Sequence, residues 1–316
     1  MLNSLVLDVL GAIDQAYNPQ ENQNTVTVHV LDPRLIEYLL DDVDAPTKYN
    51  VVFDPIDKEQ IDKERNDVTS EKLLMFSGGP DSLIAWYYLG KPPAMFVNLH
   101  YFYNDLELQT VKKIAEKTGM DLRIFDCNIM KFYREGWGDT IPLRNLLLAA
   151  IGSYFANNIY IISQKGETYI KDRTARFFYW CSKMLSEFYG KSITVTTPFF
   201  HMTKGEMIRW ALDNGVPKDI LLMTRSCFST QTGHCGECSA CIRRAVAFTI
   251  NGVLDVFNDY LKIPFDIQSK YYQHYIPKMV DCLKNGEFER YDRTRCLETL
   301  AALIMYRQLQ GKKLNI

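Results

Sequence analysis

The sequence predicts an α/β protein on a doubly wound parallel sheet, with a cysteine-rich metal loop and a helical C-terminal segment. Three observations carry this. From residue 72 onward, short apolar runs alternate with helical stretches of ten or more residues, the pattern of successive βαβ units. The first apolar run, KLLMF (72–76), enters Ser77-Gly78-Gly79-Pro80-Asp81-Ser82, and another, LIAWYYL (83–89), leaves it. Four cysteines crowd into one loop, at 227, 235, 238 and 241.

In chain order, residues 1–70 form an N-terminal extension with no assigned role. Leu2, Leu5, Val6, Val9, Leu10 and Ile13 recur at helical spacing. Asp8 and Asp14 interrupt this stretch and no basic region precedes it, so it is not read as a secretory signal. TVTVHVL (25–31) alternates as a strand does. DPIDKEQIDKERNDVTSEK (54–72) mixes both charge signs with little apolar content and reads as a linker or solvated helix.

The main domain spans 71–252. After KLLMF and its helix, AMFVNLH (94–100) reads as a strand. NDLELQTVKKIAEKTG (104–119) reads as a helix with an Asn104/Glu107 capping box and a Gly119 stop. LRIFD (122–126) is a strand, RNLLLAAIGSYFANN (144–158) a helix, and IYIIS (159–163) a strand. TARFFYWCSKMLSEFYG (174–190) is a helix and ITVTTP (193–198) a strand. TKGEMIRWALDNG (203–215) opens on a Thr203/Glu206 capping box. In 253–316 the strand signal fades. YYQHYIPKMVDCLKNG and RTRCLETLAALIMYRQLQ read as helices that cap the core or meet a partner, a second copy of the chain included.

The bulk numbers narrow the classes. The 316 residues are 47 % hydrophobic, enough for a large core, and 13 % aromatic. A net charge of −2 argues against a nucleic-acid coat or a membrane-surface protein. No apolar run reaches membrane-spanning length. Of the eight cysteines, four cluster and four scatter, which favours metal in a reducing compartment over a disulfide scaffold. A soluble, cytoplasmic protein is expected.

Two motifs carry chemistry. Gly78 and Gly79 lack a Cβ, so consecutive backbone N–H groups can converge on a phosphate, and the following helix aims its positive end at the same anion. Ser77 and Ser82 can donate, and Asp81 can cap the helix or hold Mg²⁺. The competing reading is a plain Gly-Pro-Asp turn. In SCFSTQTGHCGECSACIRR the cysteines are spaced eight, three and three apart, and four thiolates complete a closed tetrahedral zinc site. An iron–sulfur cluster is the alternative. His234 is a substitute ligand on paper, but a polar loop histidine is expected to be solvated.

Taken in order, Ser77–Ser82, Pro142-Leu143-Arg144-Asn145, Thr203-Lys204-Gly205-Glu206 and Cys227–Cys241 with Arg243 resemble the 7-cyano-7-deazaguanine synthase family of the PP-loop ATP pyrophosphatases, over roughly 72–250. The resemblance implies an ATP-dependent, C–N bond-forming ligase with Mg²⁺ and Zn²⁺. The carboxylate of 7-carboxy-7-deazaguanine attacks the α-phosphate of ATP, pyrophosphate leaves, and ammonia converts the acyl-adenylate to the amide. A further ATP-dependent activation dehydrates this to the nitrile. By the same resemblance Ser77, Gly78, Gly79, Asp81, Ser82 and Arg144 bind ATP. Asp81, Ser82 and Lys204 are catalytic, Asn145 and Asp172 bind substrate, and Cys227, Cys235, Cys238 and Cys241 hold zinc. Without the resemblance, Lys204 and Arg144 read as solvated side chains and Asn145 as a helix cap. Asp172 reads as a cap or as a partner of Arg176.

The chain departs from the family twice. Asp-Tyr-Gly-Gln after the second strand is here His100-Tyr101-Phe102-Tyr103. Tyr-Pro-Asp-Cys-Arg-Pro-Glu-Phe is here Ile170-Lys171-Asp172-Arg173-Thr174-Ala175-Arg176-Phe177. Both changes lie where the base and the acyl acceptor are read. Three rivals follow: acyl transfer to another amine, such as one on a protein; a tRNA-thiolating enzyme; and a non-catalytic binding protein on the same fold.

Overall fold

The computed structural model describes residues 8–9, 25–28, 33–40, 50–53, 70–127, 143–167, 170–286 and 292–311. Most of the expected first helix, residues 29–31, nearly all of the charged stretch and Pro142 lie outside them. Strand β1 (Thr25–Val28), helix α1 (Pro33–Leu40) and strand β2 (Asn50–Phe53) form a small unit in which the two strands pair in parallel.

The main sheet contains β3 (Ser70–Met75), β4 (Ala94–Asn98), β5 (Leu122–Asp126), β6 (Ala156–Tyr160) and β7 (Thr194–Thr196). All neighbours are parallel, in the order β5-β4-β3-β6-β7. Between them run α2 (Pro80–Tyr88), α3 (Asn104–Thr118), α4 (Arg144–Gly152) and α5 (Ala175–Tyr189), and α6 (Lys204–Asp213) follows β7. Then follow α7 (Lys218–Met223), α8 (Ser239–Thr249), α9 (Lys270–Asn285) and α10 (Arg293–Leu309).

The sheet is covered on both faces, as the continuous apolar strand runs require. Leu73 and Met75 of β3 and Met95 and Val97 of β4 join a core with α4 and α5. Leu74, Phe76, Ala94 and Phe96 point the other way, into a core with α2, α3 and α6. This is the period-two alternation of a strand feeding two layers. Leu35, Ile36 and Leu39 of α1 add to the first core, and α9 and α10 build a third around Phe265 and Met279.

Two local expectations are corrected. The helix over 144–158 stops at Gly152, and β6 starts at Ala156 rather than at 159. Parallel pairing of Ala156 with Ser70 extends the strand backward. A Cβ on Gly152 would come within 2.9 Å of Ile159 Cγ2, so the glycine lets the helix end lie against the sheet. Asn104 is the first residue of α3 rather than its cap. Its Oδ1 accepts from the Tyr101 N–H at 2.9 Å and its amide donates to Glu107. The Thr203/Glu206 box forms in full, and Gly119 closes α3 at φ 68°.

Candidate active site and metal centre

The chain leaves β3 toward β4 on one side, while β6 lies on the other. The carboxyl ends of β3 and β6 therefore flank the switch point of the sheet, where open α/β folds bind ligands. The Ser77–Ser82 loop sits there and lines a cavity. Gly78 has φ +75°, and a Cβ on it would lie 2.8 Å from Val111 Cγ2, so only glycine makes this turn. Gly79 is the N-cap of α2 and Pro80 opens it. The Ser82 hydroxyl donates to Gly79 O at 3.0 Å and accepts from the Ser77 N–H at 3.3 Å, which fixes the loop. First-turn N–H groups have no intrahelical acceptors, so this helix start presents donors and a positive dipole end. Asp81 does not cap the helix. Its carboxylate takes Lys204 Nζ at 2.6 Å.

Lys204 is the first residue of α6, aimed by the capping box around it. Its largest perturbation is desolvation, which lowers its proton affinity, while the Asp81 carboxylate opposes this. Beside it Glu167 is nearly fully buried and binds Arg173 Nη1 at 2.6 Å and the Arg243 guanidinium. Burial pushes the Glu167 carboxyl up. Arg173, Arg243 and Lys204 together outweigh that and hold it well below the usual carboxylate range. The cavity floor is thus a layer of alternating charges drawn from four separate segments.

The opposite wall comes from α3, α4 and the loop before the cysteines. Leu143 enters α4 at φ 57°, a strained backbone for a non-glycine residue, and brings Arg144 to the cavity. Arg144 hydrogen-bonds the buried Tyr103, whose hydroxyl is pushed up to about 12, mainly by burial. Glu107 is pushed up to about 7 by burial, against Arg144, the Asn104 hydrogen bond and Arg225. The Phe228 ring lies tilted against the Tyr103 ring, with centroids 5.5 Å apart. Asn145 also lines the cavity. Its N–H donates to Asp172 Oδ2 at 3.3 Å and its amide to Asp172 O at 3.1 Å. Asp172 therefore faces the start of α4, and the cap of α5 is Thr174. The Arg176 guanidinium lies over the Tyr38 ring of α1, 5.1 Å from its centroid.

The four cysteine sulfurs lie within 4.8 Å of one another, the clustering a tetrahedral ion needs. Backbone N–H groups of Ser229 and Cys235 donate to Cys227 Sγ at 3.3 Å. Those of Glu237 and Cys238 donate to Cys235 Sγ at 3.4 Å. Such donors favour thiolates, and the all-sulfur set fits zinc. Gly236 (φ +78°) makes the return, and a Cβ there would overlap Lys262 O. His234 is not solvated, as the sequence reading expected. It is 4 % exposed and stacks on Tyr260 with ring centroids 5.1 Å apart. Desolvation, with help from the Arg244 charge, lowers its proton affinity to about 3.

The expected Ser77, Gly79, Asp81, Ser82, Arg144, Asn145 and Lys204 all line one cavity. Gly78 shapes it and Asp172 stands behind Asn145. Glu107, Glu167, Arg173 and Arg225 also line it and were missed. They are isolated charges in loops and on one helix face. The only available signal is that Glu167 and Arg173 follow a strand's carboxyl end, where ligands sit.

Fold and site define an α/β protein with a glycine loop at a sheet switch point and a four-cysteine cluster beside it that could hold a metal ion. Residues 134–252 match the family model described as queuosine biosynthesis protein QueC. The 7-cyano-7-deazaguanine synthase of Methanococcus vannielii is 24 % identical over 227 residues, covering 59 % of this chain and 97 % of that protein. The one from Persephonella marina is 28 % identical over 221 residues, covering 59 % and 96 %. The 7-cyano-7-deazaguanine synthase 2 of Sulfurisphaera tokodaii is 28 % identical over 217 residues, or 58 % of this chain and 46 % of that one, so the match spans about half its length. Over these residues the chain is similar to the QueC family. Among the described residues no helix is long and apolar enough to cross a membrane.

Proposed function

We propose that the chain is an ATP-dependent ligase that adenylates a carboxylated 7-deazaguanine and converts it to the amide and nitrile with ammonia. The observation that supports this most is the meeting of the Gly78-Gly79 loop, the Lys204–Asp81 pair and the Arg173–Glu167–Arg243 cluster in one cavity. A carboxylate oxygen is a poor leaving group until AMP is attached to it, and transfer of AMP develops negative charge on pyrophosphate. Loop N–H groups, the α2 dipole and Lys204 would stabilise that charge. Asp81 is the carboxylate that would take Mg²⁺, with Lys204 then released toward phosphate. Arg144 and Asn145 at the start of α4 would hold the nucleotide or the acid, with Asp172 orienting Asn145. The four cysteines would carry zinc and tie the loop before α8 to the phosphate site.

The test is pyrophosphate release from ATP by metal-replete protein given 7-carboxy-7-deazaguanine. Release that depends on the acid supports the reading. No release and no ATP binding would sink it.

A second reading keeps the adenylate and changes the acceptor. Where the family has Asp-Tyr-Gly-Gln, His100 adopts φ 56° and its Nε2 lies 2.7 Å from Asp126 Oδ1, beside an exposed Phe102. Ammonia-independent turnover, with a heavier product by mass spectrometry, would select this reading.

A further inference from the structure

Lys204 occupies an unfavourable place for a cation. It is the first residue of α6, where the peptide dipoles present their positive end. Its side chain is only 12 % exposed, so water screens little of this. The lysine stem is long and flexible. Its backbone must be held firmly if Nζ is to stay at Asp81 and the glycine loop.

Both chain neighbours of Lys204 are held by later parts of the chain. On one side, the Thr203 hydroxyl accepts the Glu206 N–H at 3.1 Å as the cap of α6, and donates to Glu298 Oε1 of α10 at 2.5 Å. A hydroxyl has one proton and two lone pairs and rotates to suit its partners. With the proton committed to Glu298, a lone pair is left turned to the helix start. Thr203 is buried, so losing this acceptor would strand a donor out of reach of water. On the other side, Gly205 O accepts from Asn251 Nδ2 at 2.9 Å, just beyond α8. A Cβ at 205 would overlap Ile250 Cδ1 and stand 2.9 Å from Glu298 Oε1. Glycine at this position is what lets α10 and the end of α8 close on the turn.

Glu298 does not line the cavity of the Ser77–Ser82 loop, and it lies outside residues 134–252 that match the family model. Its reach to the site is therefore indirect, through Thr203 and then Lys204.

We propose that Glu298 is a positioning residue: by accepting the Thr203 hydroxyl it fixes the first turn of α6 and holds Lys204 aimed at the glycine loop. The clamp on α6 stands alone; its effect on turnover rests on the proposed function. The C-terminal helices thereby take part in the phosphate chemistry without touching a phosphate.

The test uses the full, metal-loaded chain and two variants. Glu298→Met keeps the length of the side chain and loses the acceptor, whereas Glu298→Gln keeps an acceptor oxygen and loses the charge. Glu298→Met is expected to lower kcat for pyrophosphate release about tenfold, with the KM for ATP within about threefold of the parent. Glu298→Gln should restore kcat to within about threefold of the parent. Should Glu298→Met fold poorly, Glu298→Ala carries the same comparison. In a Lys204→Ala background, followed by radiolabelled ATP–pyrophosphate exchange, Glu298→Met should change the residual rate by less than about twofold. An unchanged kcat in Glu298→Met, or equal losses in both variants, overturns the proposal. A loss that adds in full to that of Lys204→Ala overturns the route through Lys204. A parent with no acid-dependent release removes the proposed function and not the clamp. Hydrogen exchange over residues 203–207 then reads the clamp directly: faster exchange in Glu298→Met but not in Glu298→Gln supports it, and unchanged exchange overturns it.

Discussion

The glycine loop and the cysteine loop lie side by side, joined by the Arg225 N–H on Gly78 O at 2.9 Å, yet they are held by different physics. The glycine loop takes its shape from the chain itself: a strand buried on both faces, a positive φ at Gly78 and a helix start at Pro80. The cysteine loop relies on four sulfurs meeting within 4.8 Å, with peptide N–H groups aimed at them. Arg225 reinforces it from outside. Its guanidinium donates to Ser229 O at 2.6 Å and Gly233 O at 2.7 Å. Metal should therefore govern the second loop directly and the first only through this tether.

The largest effect is expected from Asp81→Ala, which removes the partner of Lys204 and the proposed Mg²⁺ ligand. Pyrophosphate release should fall by at least about 100-fold, with the thermal midpoint close to that of the parent. Retained turnover would break the assignment of the glycine loop. Next comes Cys238→Ser or chelation, which should empty the metal site and cost several kcal/mol of stability, read by metal analysis and thermal unfolding. ATP affinity should fall less than metal content does. Equal losses would show that the two loops act as one unit. Gly78→Ala is expected to cost about 1–3 kcal/mol through backbone strain and the 2.8 Å approach to Val111, and to weaken ATP binding. Urea titration and calorimetry separate the two effects.

The effect expected to leave turnover least changed concerns Glu107. Its carboxyl is pushed up from 4.5 to about 7, so the folded state binds this proton more tightly than the unfolded chain. The associated stability is fully present below about pH 4.5 and is lost as pH rises through about 7. Glu107→Gln has no such proton. The stability of the parent relative to the variant should decline across that window, and a flat difference in thermal midpoints would contradict this.

Sequence reading reached furthest where one local rule decides. Alternating runs located all five strands of the main sheet, and Gly119 and Gly190 stop their helices in the left-handed conformation. The glycine pair and the cysteine spacing marked both loops. It fell short where tertiary pairing decides: Asn157 and Asn158 are poor strand formers, yet β6 begins before them because Ser70 and Lys72 are there to pair. It also missed the charge layer, because Arg243 meets Glu167 and Arg173 only after two distant segments have folded together. His234 shows the opposite failure. A polar neighbourhood in sequence became a stacked, dry contact once Tyr260 arrived from the later chain.

That contact has a further consequence. The His234 N–H donates to Asp259 O at 2.8 Å, the Leu261 N–H returns to His234 O at 2.8 Å, and Lys262 O rests where any side chain at position 236 would be. The strip leading into the last two helices is therefore laced to the thiolate loop as one short ladder. Stripping the ion should loosen the far end of the polypeptide before the sheet notices, and clipping that far end should make the ion easier to steal.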